Sequence, residues 1–177
     1  MRLNLGCGGD NKVGFINIDI SGGDVEHDLR LGLYPRIAFQ DSVEFIYTSH
    51  FLEHIFDDEA AHLLKDCQTV LKPGGAIRIC VPDFRKLAEA YLNEDLRFFN
   101  LLPVGDFGCP ISFLEYCAYQ YNGRENDHKA LYDVQKLTKM LSAAGFVSVK
   151  EMKFDPSVDI DSEVRSRYSL YVEAKKP

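Results

Sequence analysis

The chain has 177 residues, is 46% hydrophobic and carries a formal net charge of −7. That length supports one domain with a substantial core. No Lys/Arg block and no run of roughly 18 apolar residues occurs, which argues against a nucleic-acid or membrane partner. No leader-like segment precedes the first predicted strand, so a cytoplasmic location is expected. The five cysteines, Cys7, Cys67, Cys80, Cys109 and Cys117, are odd in number and lack C-x-x-C spacing. They suit a reducing compartment better than a disulfide framework or structural zinc.

Arg2–Leu5 reads as a first strand that ends abruptly in Gly6-Cys7-Gly8-Gly9. Glycines at a strand end let a ligand lie against bare backbone. The plainer alternative is a tight turn. Phe15–Asp19 reads as a second strand ending in an acid. A glycine turn after one strand and a carboxylate after the next is the layout of an adenosine site, the acid accepting from ribose hydroxyls. The third glycine of G-x-G-x-x-G would fall on Asn11, and no Gly-Lys-Ser/Thr follows. The loop therefore suits a nucleoside without a pyrophosphate. The gap between these strands is too short for a crossover helix, so a loop or single turn is expected.

A weak third strand is placed at Val25–Leu29 and a stronger one at Glu44–Thr48. From about Asp57 a helix carries Ala60, Leu63, Leu64, Cys67 and Leu71 on one face, with acids in its first turn. Lys72-Pro73-Gly74-Gly75 is read as a turn before a buried strand at Ala76–Val81. Asp83 is the expected N-cap of the next helix, with Phe84, Leu87, Ala88 and Tyr91 in period. Residues 96–128 read as irregular and aromatic, an insertion on the acceptor side of a site. Phe98, Phe99, Phe107, Phe113, Tyr116, Tyr119 and Tyr121 are its candidate wall, or a local core. Asp133–Ala144 is a last helix closed by Gly145, followed by strands at Phe146–Phe154 and Tyr168–Ala174. Their closing antiparallel pair is joined through a polar loop at Ser157–Ser166. Alternating elements of this kind predict an α/β fold with a mostly parallel, Rossmann-like sheet and an antiparallel strand near the C-terminus.

This order of elements resembles the class I S-adenosylmethionine-dependent methyltransferases. The resemblance rests on Asn4-Leu5-Gly6-Cys7-Gly8-Gly9, Asn17-Ile18-Asp19-Ile20, Phe45 through His54, Leu71-Lys72-Pro73-Gly74-Gly75-Ala76 and Ala143-Ala144-Gly145-Phe146. It is closest in character to small members predicted to act in bacterial surface-polysaccharide pathways. It implies S-adenosylmethionine as cofactor, S-adenosylhomocysteine as product, and a small-molecule or saccharide acceptor. It places the cofactor against Gly6, Cys7, Gly8 and Gly9, against Asp19 and Ile20, and against Asp28 and Leu29. Ser49, His50 and His54 complete that set. Asp24 and Asp41 are alternatives to Asp28 as the adenine-contacting acid. The family's helices around the first strand are missing or cut to a turn here. The cofactor's methionine end is then open or covered by a partner chain, which leaves a homodimer as one arrangement.

His50-Phe51-Leu52-Glu53-His54 also matches H-x-x-E-H, the signature of a group of zinc metallopeptidases. On a helix, His50 and His54 would share a face. The motif instead follows a strand by one residue, and no third ligand can be placed, so no metal is assigned. A non-catalytic cofactor- or partner-binding module is a third reading. If the acceptor must lose a proton, Asp83 and His128 are the candidate bases. Asp83 is equally explained as a helix cap, His128 as a loop histidine, and His27 and His62 as surface residues.

Overall fold

The computed structural model describes residues 1–102, 109–118, 128–160 and 162–177. Seven strands form one sheet: β1 (Arg2–Leu5), β2 (Ile16–Asp19), β3 (Val25–Glu26), β4 (Val43–Ser49), β5 (Leu71–Pro82), β6 (Val147–Met152) and β7 (Ser169–Lys175). Their order is β3-β2-β1-β4-β5-β7-β6. The first five pair in parallel, and β7 runs antiparallel to both β5 and β6. The expected Rossmann-like sheet with its antiparallel C-terminal strand is the observed one. The chain reverses its winding direction between β1 and β4, so their carboxyl ends open on a crevice.

The described helices are α1 (Asp57–Val70), α2 (Phe84–Leu92), α3 (Leu96–Asn100), α4 (Pro110–Ala118), α5 (Val134–Ala144) and α6 (Glu163–Tyr168). Single 3-10 turns occupy Leu29–Leu31 and Leu52–His54. In α1, Ala60, Leu63, Leu64 and Cys67 are buried at helical spacing, and Glu59 accepts from the Phe56 N–H at 2.8 Å. In α5, Leu137 and Leu141 are fully buried, Asp133 caps the start, and Gly145 ends the helix at φ 96°. These faces meet Leu3, Ile46, Ile77, Ile79 and Val172 of the sheet in one large core.

No helix crosses between β1 and β2; loop side chains hold the connection. Asn4 Nδ2 donates to the Asp10 carbonyl (3.1 Å) and to Asn17 Oδ1 (2.9 Å), and Lys12 N–H donates to the same Oδ1 (2.7 Å). Both asparagines are buried, at 1% and 4% exposure. They satisfy backbone groups that a helix would have satisfied itself.

Four boundaries differ from the sequence expectation. The third strand is only Val25–Glu26, because Asp28 accepts from Arg30 N–H and starts a 3-10 turn. The 72–75 turn is a bulge within β5: Val43 pairs with Leu71 and Phe45 with Ala76. The 157–166 loop contains α6, capped by Ser162 accepting from Arg165 N–H. The segment read as irregular contains α3 and α4, which pack through Phe99, Phe113, Leu114 and Cys117 onto Leu87 of α2 as a second small core. Its aromatic spacing was short-range helical packing that glycines and prolines obscured. Phe107, Tyr119 and Tyr121 lie outside the described residues. No described helix is long and apolar enough to cross a membrane.

Candidate functional site

The site opens at the carboxyl ends of β1, β2 and β4, and two cavities share it. The first, about 290 Å³, is lined by Gly6, Gly8, Asp19, Ile20, His27, Asp28, Leu29, Arg30, His50, Phe51, His54 and Ile55. The second, about 260 Å³, takes in Gly6 through Asp10, Ser49, His50, Glu53, His54, Pro82, Tyr116, Cys117, His128, Arg165 and Tyr168. They meet along Gly6, Gly8, His50 and His54.

The glycine loop has a physical reason at two positions. Gly6 sits at φ 66°, and a Cβ there would collide with the Phe51 ring. Gly8 sits at φ 55°, with nothing within 4 Å of where its Cβ would be. Its missing side chain leaves room on the cavity side rather than serving packing. Gly8 N–H donates to Asp19 Oδ2 (2.9 Å), and Ile20 N–H donates to Oδ1 (2.7 Å). The carboxylate is thereby aimed, and each oxygen keeps a lone pair for a ligand hydroxyl. Ile20 is 59% exposed, an apolar side chain held out beside the cavity.

Asp28 lies on the far side of the first cavity. Arg30 binds both its oxygens (2.8–3.1 Å) and holds its carboxyl below the usual range. Asp24 is occupied with Asn17 and Asp41 with Lys176, and neither lines a cavity of the site. Of the three acids left open by sequence, Asp28 alone lines a cavity of the site. One cavity thus brings together an aimed carboxylate on Asp19, an open glycine backbone, an apolar neighbour and a second acid.

The other expected cofactor residues divide between the cavities. Leu29 is 4% exposed and belongs mainly to the core, touching the first cavity from beneath. Cys7, Gly9 and Ser49 line the second cavity only. Burial, with the Asp19 carboxylate nearby, pushes the Cys7 thiol up and disfavours the thiolate.

His50 follows β4 at φ 49°, and His54 closes a 3-10 turn before α1. The helical H-x-x-E-H geometry of a zinc peptidase is therefore absent. Ser169 Oγ donates to the Arg165 carbonyl (2.8 Å) and faces His50 Nε2 at 2.9 Å. His50 Nδ1 stands 3.3 Å from Oε1 of Glu53, which is only 1% exposed. Burial raises the Glu53 carboxyl, but His50, His54 and His128 outweigh it and hold the group below its ordinary value.

The two candidate bases separate. His128 lines the second cavity, its Nδ1–H donating to the Cys117 carbonyl (2.8 Å) and its ring 4.7 Å from that of His54. Lys129 and Ala130 N–H groups donate to the Glu53 carbonyl (2.6 and 3.2 Å), which fixes that approach. Asp83 lines neither cavity: it is 4% exposed, caps α2 through Arg85 N–H (3.1 Å) and pairs with Lys86 (3.6 Å). Burial raises its carboxyl, but its contacts are those of a cap. His27, expected on the surface, lines the first cavity and donates from Nε2 to the Gly32 carbonyl (2.7 Å). Tyr116, Arg165 and Tyr168 of the second cavity come from segments remote in sequence, which local patterns do not bring together.

Residues 3–79 match the family model described as a methyltransferase domain. Among solved structures, the chain is similar to an S-adenosylmethionine-dependent methyltransferase from Archaeoglobus fulgidus. Identity is 19% and the TM-score 0.58, covering 99% of this chain and 85% of that one. It is similar to one from Methanosarcina mazei at 17% identity and a TM-score of 0.57, covering 99% and 91%. A third, from Thermotoga maritima, matches at 13% identity and a TM-score of 0.58, covering 99% and 82%. At these identities the structural likeness establishes the fold. No curated protein matches the sequence at a significant level.

Proposed function

We propose that this chain, a class I S-adenosylmethionine-dependent methyltransferase, methylates a small-molecule or glycan-type acceptor. The observation that carries this reading is the meeting of a nucleoside-type cavity and a polar, aromatic one along Gly6, Gly8, His50 and His54. When bound, S-adenosylmethionine supplies an electrophilic methyl group on a positively charged sulfur. In this reading Asp19 accepts from the ribose hydroxyls, Ile20 flanks the base, and Asp28 accepts from the base's amino group. The Gly6–Gly9 backbone lies beside the amino-acid end.

Methyl transfer is an in-line displacement, so the chain's contribution is alignment and exclusion of water. Tyr116, Tyr168 and His128 offer ring faces and polar edges to an acceptor, and Arg165 offers a cation. A cavity of about 260 Å³ suits one small polar molecule or one residue of a glycan. Asp83, already engaged as a cap, is not assigned a proton-transfer role. Four buried cysteines, all free, suit a reducing compartment such as the cytoplasm.

Calorimetry with S-adenosylhomocysteine, followed by transfer of labelled methyl to a panel of monosaccharides, nucleotide sugars and small hydroxylated aromatics, tests the reading. One-to-one nucleoside binding and label on a panel member are expected. Binding without transfer to any acceptor would favour a non-catalytic module, and label on nucleic acid alone would overturn the acceptor class.

A further inference from the structure

We propose that Glu53, His54 and His128 bind a divalent first-row transition-metal ion in the wall of the second cavity, leaving open positions toward the acceptor. One ligand atom from each of the three lies within 4.8 Å of the others. Metal bonds of about 2.0–2.2 Å place neighbouring ligands roughly 3–4 Å apart, so a small inward rotation of the side chains closes the site. Two imidazoles and one carboxylate are donors that such ions favour, and three protein ligands leave positions for small molecules.

Two of the three ligands, His128 and Glu53, are supported from behind. His128 donates Nδ1–H to the Cys117 carbonyl, which leaves Nε2 as the ring nitrogen available to a metal ion. This is the arrangement by which a backbone carbonyl orients a metal-binding histidine. The Glu53 backbone carbonyl is bound by the N–H groups of Lys129 and Ala130, which locks His128 beside it. The Glu53 carboxylate is sealed from solvent, and neither oxygen makes a hydrogen bond among the described residues. Its neighbour is His50, with Nδ1 3.3 Å from Oε1. A buried carboxylate needs compensating positive charge, which the surrounding imidazoles supply when protonated and a bound metal ion supplies when they are neutral. The same three residues face the cavity that receives the acceptor.

The site differs from the H-x-x-E-H expectation. His50 is turned toward Ser169 and Glu53, and the third ligand comes from beyond the α4 segment instead of a helix.

The catalytic consequence rests on the methyltransferase reading; the binding itself does not. An acceptor hydroxyl oxygen in an open metal position is held in place and made more acidic. Its proton passes to solvent. Its electron pair forms the new oxygen–carbon bond, and the methyl–sulfur bond breaks with its pair remaining on sulfur.

The test uses untagged full-length protein stripped with chelator. It is titrated calorimetrically with Mn²⁺ and Zn²⁺, and with Co²⁺ while its visible absorption is followed. One ion per chain is expected, with a cobalt spectrum of nitrogen–oxygen ligation. His128→Ala and Glu53→Gln should each weaken binding by more than about 100-fold, since even an outer-shell partner is worth about 10–100-fold. His62→Ala, on the exposed face of α1, should bind as wild type. S-adenosylhomocysteine binding is measured on every variant; its retention in His128→Ala shows that this protein is folded. Stripped wild type should also bind S-adenosylhomocysteine normally. Absence of saturable metal binding, or undiminished binding in folded His128→Ala, overturns the metal site while leaving the methyltransferase reading intact. Metal binding without any nucleoside binding overturns that reading and leaves the site.

Discussion

Asp19 and Gly8 form one unit, because the backbone of the glycine loop orients the carboxylate that ends β2. Removing that carboxylate deletes a charged acceptor in a half-buried place. Asp19→Ala is expected to weaken S-adenosylhomocysteine binding by about 1.5–3 kcal/mol, read by calorimetry; an unchanged dissociation constant would move the ribose acid elsewhere. Gly8→Val acts differently. Its side chain would extend into the open space at φ 55°, and a branched residue there carries about 1–3 kcal/mol of strain. The variant should keep its circular dichroism and lose nucleoside binding, since the blocked space is the ligand's. Wild-type affinity in Gly8→Val would show that the cofactor lies away from this loop.

At the level of elements, the β1–β2 connection replaces a helix with two asparagines. Asn17 accepts from Asn4 Nδ2 and Lys12 N–H and donates to Asp24 Oδ2 (2.8 Å). Asn17→Ala leaves several buried polar groups without partners. It should cost about 1–3 kcal/mol in urea unfolding and weaken nucleoside binding as well, because the same loop carries Gly8. A stability loss with unchanged affinity would mean the loop's far half does not set the site. Sequence spacing foretold that no crossover helix fits here. It did not foretell the asparagine scaffold, since a hydrogen-bonded loop has no periodicity to read. The α3–α4 region failed in the opposite direction: a local core existed, but Pro and Gly at its ends masked the helical repeat.

Across the whole molecule, the C-terminal third is fastened to the sheet by a buried ion pair. Arg78 on β5 binds both carboxylate oxygens of Asp159 at 2.7 Å, with the two side chains 3% and 0% exposed. Asp159 and Glu173 outweigh the burial that would lower the Arg78 guanidinium, keeping it charged. Asp159→Ala strands that charge and should destabilise the fold by about 3–5 kcal/mol, measured by chemical denaturation; a loss near zero would mean that solvent reaches Arg78. The pair brings the 153–160 segment over the sheet, and Arg165 and Tyr168 follow it into the second cavity.

The sequence by itself determined the sheet and placed the glycine loop and Asp19 at neighbouring strand ends. Period-2 and period-3.6 patterns specify burial faces, and a glycine loop and an acid at successive strand ends meet through backbone chemistry that is local. Only the tertiary structure decided which of Asp24, Asp28 and Asp41 faces the cavity, that Asp83 is a cap outside it, and that His128 stands against Glu53 and His54. These are contacts between segments up to 75 residues apart in the chain. Their identity depends on how α4, the 128–132 segment and α6 pack, and no local propensity encodes that meeting.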